Sequence, residues 1–225
     1  MSDDSFIREV DEELRSARLQ DFWKKYGNIV IALAVAIVLA TGGYRFYEYY
    51  TNQKAAEAGD AFMSAVRLAQ EGKQDEAVAA FAALEDHESP SYRTLALMRG
   101  AAELAENGKK EEALSKFDLI AADTSADENM RAIARIRAAH ILVDTGSVQD
   151  VESRVSPLTA PGAPYRASAR EAIGLAYFKA GDLENAFKQF DEISRNIETP
   201  QALRQRVTIM LSLIASRGGP TQADQ

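Results

Sequence analysis

Gly72, Gly108, Gly146 and Gly181 recur at intervals of 36, 38 and 35 residues, and their neighbours recur with them. Five positions after each glycine stand Ala77, Ala113, Val151 and Ala186; nine after, Phe81, Phe117, Val155 and Phe190. Twelve after stand Leu84, Ile120, Leu158 and Ile193. On the other side, Leu68, Leu104, Leu142 and Tyr177 lie four before, and Ala65, Ala101, Ala139 and Gly174 seven before. A period near 35 with helical spacing on both sides of a glycine reads as stacked helix–turn–helix units. Each glycine is expected to supply the left-handed turn that ends the first helix of its unit. The small residues let paired helices approach, and the aromatic nine positions on plugs the next interface. Pro90, Pro164 and Pro200 fall near unit boundaries, where proline stops one helix and starts another. The third unit departs most: Val151 and Val155 replace the small residue and the phenylalanine, and the loop 159–164 is longer.

Composition agrees with an all-α chain. Alanine, the best helix former, accounts for 39 of 225 residues, while Gly and Pro together account for 19. Leu203, Val207, Met210, Leu211 and Ile214 form one apolar helical face after the last unit, the expected terminal cap. The expected organisation is a cytoplasmic tail over 1–25, a transmembrane helix over 26–47, a repeat domain over 48–217 and a flexible tail over 218–225.

The transmembrane expectation rests on residues 26–44, YGNIVIALAVAIVLATGGY, which hold 19 residues without a charge. About 20 apolar residues in a helix cross the ~30 Å hydrocarbon core of a bilayer. Aromatic residues flank the run: Phe22, Trp23 and Tyr26 before it, Tyr44, Phe46, Tyr47, Tyr49 and Tyr50 after it. Trp23, Lys24, Lys25, Tyr44 and Tyr47 are the expected interface anchors. Twenty-five residues precede the run and the run exceeds a signal-peptide core, which favours an uncleaved anchor. Arg15, Arg18, Lys24 and Lys25 precede it closely and only Arg45 and Lys54 follow, so the N-terminus is expected in the cytoplasm. In a bacterial inner membrane this puts residues 45–225 in the periplasm, where a chain with no cysteine avoids oxidation. In the tail, Phe6, Val10, Leu14 and Ala17 make one stripe of a short amphipathic helix, with Asp3 and Asp4 as caps. It is read as a solvated helix, a headgroup-lying segment or a partner handle.

The small/Leu-or-Tyr/Gly/Ala/Phe columns resemble the tetratricopeptide repeat, best in NGKKEEALSKFDLI and AYFKAGDLENAFKQF. The aromatic position eleven before each glycine departs from that pattern, holding Ala61, Leu97, Arg135 and Arg170. Over nearly the whole chain there is a narrower resemblance. An acidic tail, the Phe22-Trp23-Lys24-Lys25-Tyr26-Gly27 lead-in, one span, then Gly43-Tyr44-Arg45-Phe46-Tyr47 and repeats is similar to the YfgM-like ancillary subunits of the SecYEG translocon. That resemblance implies a single-pass inner-membrane protein working beside the translocon with periplasmic chaperones and folding factors.

Chemistry is not expected. With no cysteine and two histidines, thiol catalysis and Cys-ligated metal are excluded, and His-based triads have little to build on. The net charge of −8 and pI near 5.0 disfavour nucleic acid. His87 in EDHESP reads as solvated; His140 reads as a groove or packing residue. Asp75-Glu76, Glu111-Glu112 and Glu184 sit where they favour a helix N-terminus through its dipole. No enzyme, cofactor, metal or small-molecule substrate is expected. What remains is a binding surface lined by the first helix of each unit, from positions ten, six and three before each glycine. Its residues are Phe62, Val66 and Ala69; Met98, Ala102 and Ala105; Ile136, His140 and Val143; Glu171, Leu175 and Phe178. This row is mainly apolar, with no basic-and-asparagine clamp for a C-terminal carboxylate, and is expected either to take an apolar client or partner segment or to be filled by the terminal helix. A structural scaffold for envelope assembly or division, and a regulator holding a cytoplasmic factor through residues 1–25, stand as alternatives.

Overall fold

The computed structural model describes the backbone of residues 3–221 and the side chains of residues 23–221. The stripe Phe6, Val10, Leu14 and Ala17 and the last four residues of the expected C-terminal tail therefore lie outside the described side chains. Every regular element among the described residues is helical: nine α-helices and one 3₁₀ turn, with no strand. The chain divides into two compact units, residues 1–54 and 55–225.

The first unit belongs to α1 (Asp3–Gln70). Its apolar run is largely uncovered. Ile29, Leu33, Val35, Ile37, Val38 and Leu39 are all more than half exposed, as are Trp23, Tyr44 and Tyr47; Lys24 and Lys25 are exposed too. Among the described residues, one helix is long and apolar enough to cross a membrane, with a mean hydropathy of 2.0 over its best stretch. Among the described residues this apolar run has little side-chain cover beyond the Trp23 ring against Gly27, so packing contributes little to its stability in water. Local contacts are confined to single turns, such as Arg45 to Glu48 at 2.9 Å and the Lys25 ammonium 5.4 Å from the Tyr26 ring centre.

The second unit continues with α2 (Gln74–Ala82), α3 (Pro90–Glu106), α4 (Lys110–Ala122), α5 (Glu128–Thr145), α6 (Val148–Val155), α7 (Arg166–Ala180), α8 (Leu183–Arg195) and α9 (Gln201–Ser216). Four antiparallel pairs and a final helix result. Start signals are visible in the chain: Pro90 opens α3, Asp127 caps α5 and Asp182 caps α8. Three of the turns are the same object. Gly72, Gly108 and Gly181 have φ of 78°, 77° and 82°. The amide after each donates five residues back, to the carbonyls of Leu68, Leu104 and Tyr177. This is the six-to-one bond of the Schellman motif, so the column four before each glycine supplies both a core side chain and the closing acceptor.

The fourth turn corrects the expectation. Gly146 has φ −111° and ψ −173°, not a left-handed conformation. A capping box organises this turn instead: Ser147 Oγ accepts from the Asp150 amide, while the Asp150 carboxylate accepts from the Ser147 amide and hydroxyl. Those hydroxyl and amide donors hold the Asp150 carboxyl below its ordinary range. Residues 218 and 219 also differ from a free tail. Gly218 has φ 82°, and the Gly219 amide donates to the Ile214 carbonyl, closing α9 with a fourth Schellman turn.

Burial follows the columns. Phe81, Phe117, Val155 and Phe190 are buried, as are Ala77, Ala113, Val151 and Ala186 and then Leu84, Ile120, Leu158 and Ile193. They form four successive cores, each shared by neighbouring helices: α1–α2–α3, α3–α4–α5, α5–α6–α7 and α7–α8–α9. Each unit thus completes its core only with the first helix of the next, as in other one-dimensional repeat arrays. In the last core the ring of Phe190 lies where a Cβ on Gly174 would come within 2.9 Å of it. At Gly174 that approach leaves no room for a side chain.

Polar clamps carry the same period. Lys109 reaches Asp75 at 3.1 Å, Lys110 reaches Asp144 at 3.3 Å, and Arg154 grips Asp118 through two bonds of 2.9 and 2.7 Å. Lys179 donates to the Val143 carbonyl at 2.9 Å. Asp75 therefore does more than favour the start of α2. The arginines in place of the missing aromatic act likewise: Arg135 donates to the Ala121 carbonyl, and Arg170 to Gln189 and towards Glu192.

A cleft between α5, α7 and α9

The first helices of units three and four, with the terminal helix beside them, enclose a cleft of about 700 Å³. Ile136, Arg137 and His140 of α5, Ser168, Glu171 and Leu175 of α7, and Arg206, Ile209 and Met210 of α9 line it. Helical spacing explains the set: 136 and 140, 171 and 175, and 206 and 210 are each one turn apart, so each pair shares a helix face. A smaller recess of about 210 Å³ shares Arg137 and His140 and adds Ala102, Ala105 and Phe117.

The expected surface residues separate here. Ile136, His140 and Leu175 come together in the cleft. Phe178 is half-buried against the α8–α9 core, with the Arg217 guanidinium 4.5 Å from its ring centre. Val143 packs on the core of α5–α6–α7, and Met98 on that of α3–α4–α5. Phe62 and Val66 pack into the first core, where the Phe62 ring lies 5.4 Å edge-on from Phe81 and 6.1 Å from Tyr92. Ile136 is also a core residue, 9% exposed among the α5–α6–α7 cluster. His87 braces its turn, its Nδ1 accepting from the Ser89 amide at 3.1 Å.

The terminal helix neither fills the cleft nor leaves the last unit bare. Leu203, Val207 and Ile214 are buried against the last pair, and Met210 and Leu211 half-buried. Ile209, by contrast, is 66% exposed at the cleft. One face of α9 caps the array, and its shoulder forms a cleft wall.

That wall brings charge beside the mainly apolar row of the first helices. Arg206 clamps the buried Glu171 through Nε–Oε1 at 2.7 Å and Nη2–Oε2 at 2.9 Å. The hydrogen bond to Glu171 raises the Arg206 guanidinium above its already high ordinary value, so it stays charged throughout the accessible pH range. Arg137 is exposed at the lip and has no ion-pair or hydrogen-bond partner among the described residues. Two arginines and one histidine thus face one neutralised carboxylate. Composition concealed this arrangement because Arg137 falls outside the three groove columns and Arg206 outside the repeats. A signal existed in the chain: Glu171 is the one acid in an apolar row, and Arg206 lies 35 residues on, the spacing of the other clamps.

Removing one partner of the Glu171–Arg206 pair tests the clamp. Arg206→Ala strands a buried carboxylate and is expected to destabilise the repeat unit by about 1–3 kcal/mol, because the guanidinium's exposure lets water take part of its place. Replacing both residues with leucine is expected to recover most of that loss. Urea unfolding of the full chain in detergent measures both. A fully retained stability in Arg206→Ala shows that the clamp carries no weight.

Among the described residues no group of His, Asp and Glu is arranged to hold a metal ion. The geometry offers recognition: apolar walls, a fixed guanidinium inside and a free one at the rim. A family model described as a tetratricopeptide repeat-like domain matches residues 20–216. No curated protein and no solved structure matches the chain.

Proposed function

The chain belongs to the tetratricopeptide repeat-like family, and from that premise we propose that it is a membrane-anchored protein-interaction module working beside a protein-translocation channel. The observation that carries the reading is the cleft. Repeats of this kind present their first helices as an extended binding surface. Here that surface keeps an open recess of about 700 Å³ rather than closing into the core. The anchor is the exposed apolar stretch of α1. Its aromatic and basic flanks Trp23, Lys24, Lys25, Tyr44 and Tyr47 sit at the headgroups, with the N-terminus cytoplasmic and the repeats periplasmic. The lead-in and span resemble those of the YfgM-like subunits. That resemblance supports SecYEG as the membrane partner and periplasmic chaperones or folding factors as the others. No catalytic role, cofactor, nucleic acid or small-molecule substrate belongs to this reading.

A photo-crosslinking residue at Leu175, in the full chain in native membranes, is expected to form adducts with translocon subunits or folding factors. Ile209→Ser, at the exposed side chain of the cleft wall, is expected to reduce those adducts several-fold, since an apolar contact is lost while the α7–α8–α9 core is left intact. Ile136 and Met210 are unsuitable for this test because their side chains also pack on the α5–α6–α7 and α7–α8–α9 cores. Adducts confined to envelope-assembly or division enzymes favour the scaffold; capture of a cytoplasmic factor by residues 1–25 favours the regulator. Adducts undiminished in Ile209→Ser place the partner site elsewhere.

A further inference from the structure

The charge around the cleft is not distributed like that of the chain as a whole. The chain carries a net charge of −8, yet residues 199–221 hold three arginines and no acid. Arg206 faces the cleft and Arg217 covers Phe178 beside it. Across from α9, Arg137 stands at the rim with no partner among the described residues. Among the described residues, Glu171 is the only carboxylate lining the cleft, and Arg206 already holds both its oxygens. The neighbouring recess adds Glu106, Lys110 and Asp144, with Lys110 set against Asp144. In the recess Glu106 has no ion pair with Arg137, and in the cleft itself what is left over is a guanidinium next to apolar side chains.

A guanidinium at a rim gains little from water-exposed company, but it selects strongly for a carboxylate seated beside an apolar contact. The apolar floor meanwhile needs side chains to bury: Leu175, Ile209 and Met210 form a patch that a turn of helix or a short extended strand covers. We propose, resting on the reading of the cleft as the partner site, that its occupant is an acidic amphipathic segment of a partner protein. Apolar side chains of that segment lie on Leu175, Ile209 and Met210, and an aspartate or glutamate one turn away pairs with Arg137. Arg206 is a positioning residue in this scheme. Its fork is occupied by Glu171, and it fixes the angle at which α9 offers Ile209.

The reading differs from a purely apolar groove in one measurable respect. An apolar groove tolerates charge changes at its rim; this one reverses its preference with them. It also explains the absence of acid from α9. Any carboxylate on that wall would repel the segment and compete for Arg137.

The test uses the full chain in native membranes with a photo-crosslinking residue at Ile209, and mass spectrometry to sequence the peptide it labels. The expected adduct is a partner peptide with an aspartate or glutamate within a helical turn of the labelled residue. Arg137→Glu is expected to lower the adduct yield about tenfold, Arg137→Lys to keep most of it, and neither to move the thermal midpoint, since Arg137 is exposed and makes no ion pair. Changing the partner's carboxylate to arginine is expected to restore the yield with Arg137→Glu. A labelled peptide without acid, a yield indifferent to Arg137→Glu, a lipid adduct, or an adduct with a second copy of this chain each overturns the acidic assignment. If Leu175 still captures protein partners in those cases, the cleft remains the partner site. If neither Leu175 nor Ile209 captures any protein, both readings fall.

Discussion

Phe190→Ala is expected to destabilise the repeat unit by about 3–5 kcal/mol, the cost of truncating a buried aromatic. Phe190 is fully buried, with Ala186, Phe187, Ile193, Leu203 and Val207 in the same core. Against a total stability of roughly 5–15 kcal/mol, a loss of that size brings the last pair and its cap close to unfolding at physiological temperature. A sharper consequence concerns the residue opposite. A Cβ on Gly174 would lie 2.9–3.1 Å from three atoms of the Phe190 ring, so Gly174→Ala alone forces the ring to move. Overpacking of that kind costs about 1–3 kcal/mol. In the Phe190→Ala background the ring is gone, and the same substitution should stabilise by up to about 1 kcal/mol through helix propensity. The sign of the Gly174→Ala effect reverses between the two backgrounds. A double-mutant cycle read by urea unfolding measures it, and additive effects show that the two residues do not meet.

That pair shows why the array was legible in the chain. A helix–turn–helix repeat is nearly one-dimensional, so every buried contact lies at a fixed offset from its turn, and periodicity alone exposes it. Ala77, Phe81 and Leu84 and their counterparts are all buried, and three of the four glycines have positive φ. The Gly146 turn departs from the other three because glycine permits a left-handed turn without requiring one. Ser147 and Asp150, three apart, form a capping box that needs Ser147 extended, and they decide the conformation. Periodicity was no guide to which half-buried side chains face a cleft. Phe62 and Leu175 both stand in the first-helix row, yet Phe62 packs on Phe81 and Tyr92 while Leu175, packed on the last core, also borders the cleft. The difference lies in the next helix along. At the C-terminal end that helix is α9, which follows no repeat and brings Arg206, Ile209 and Met210 to the cleft. A site built half from the period and half from what interrupts it is only half visible in the period.

Leu33→Arg with Ile37→Arg is expected to release the full chain from the membrane. Both residues lie near the middle of the uncharged run 26–44, and their side chains are 61% and 58% exposed, with no packing to lose. In water such substitutions would improve solubility. In a bilayer each arginine at the centre of a spanning helix costs about 2.5–3.5 kcal/mol, and each lost leucine or isoleucine removes a further few tenths. The pair therefore shifts the insertion equilibrium by roughly 6–8 kcal/mol, four or more decades in population. Carbonate extraction of membranes should retain the parent in the pellet and leave the variant in the supernatant. Protease added to spheroplasts is expected to digest the parent's repeats, residues 55–225, because four basic residues before the run against two after it favour an N-terminus inside. Control substitutions Leu33→Ile with Ile37→Leu change neither result. If the arginine variant stays with the membrane, the chain is held there through its repeats and their partners, and α1 is not the anchor. If instead the parent is extracted by carbonate, the exposed apolar stretch of α1 is covered by protein rather than by lipid.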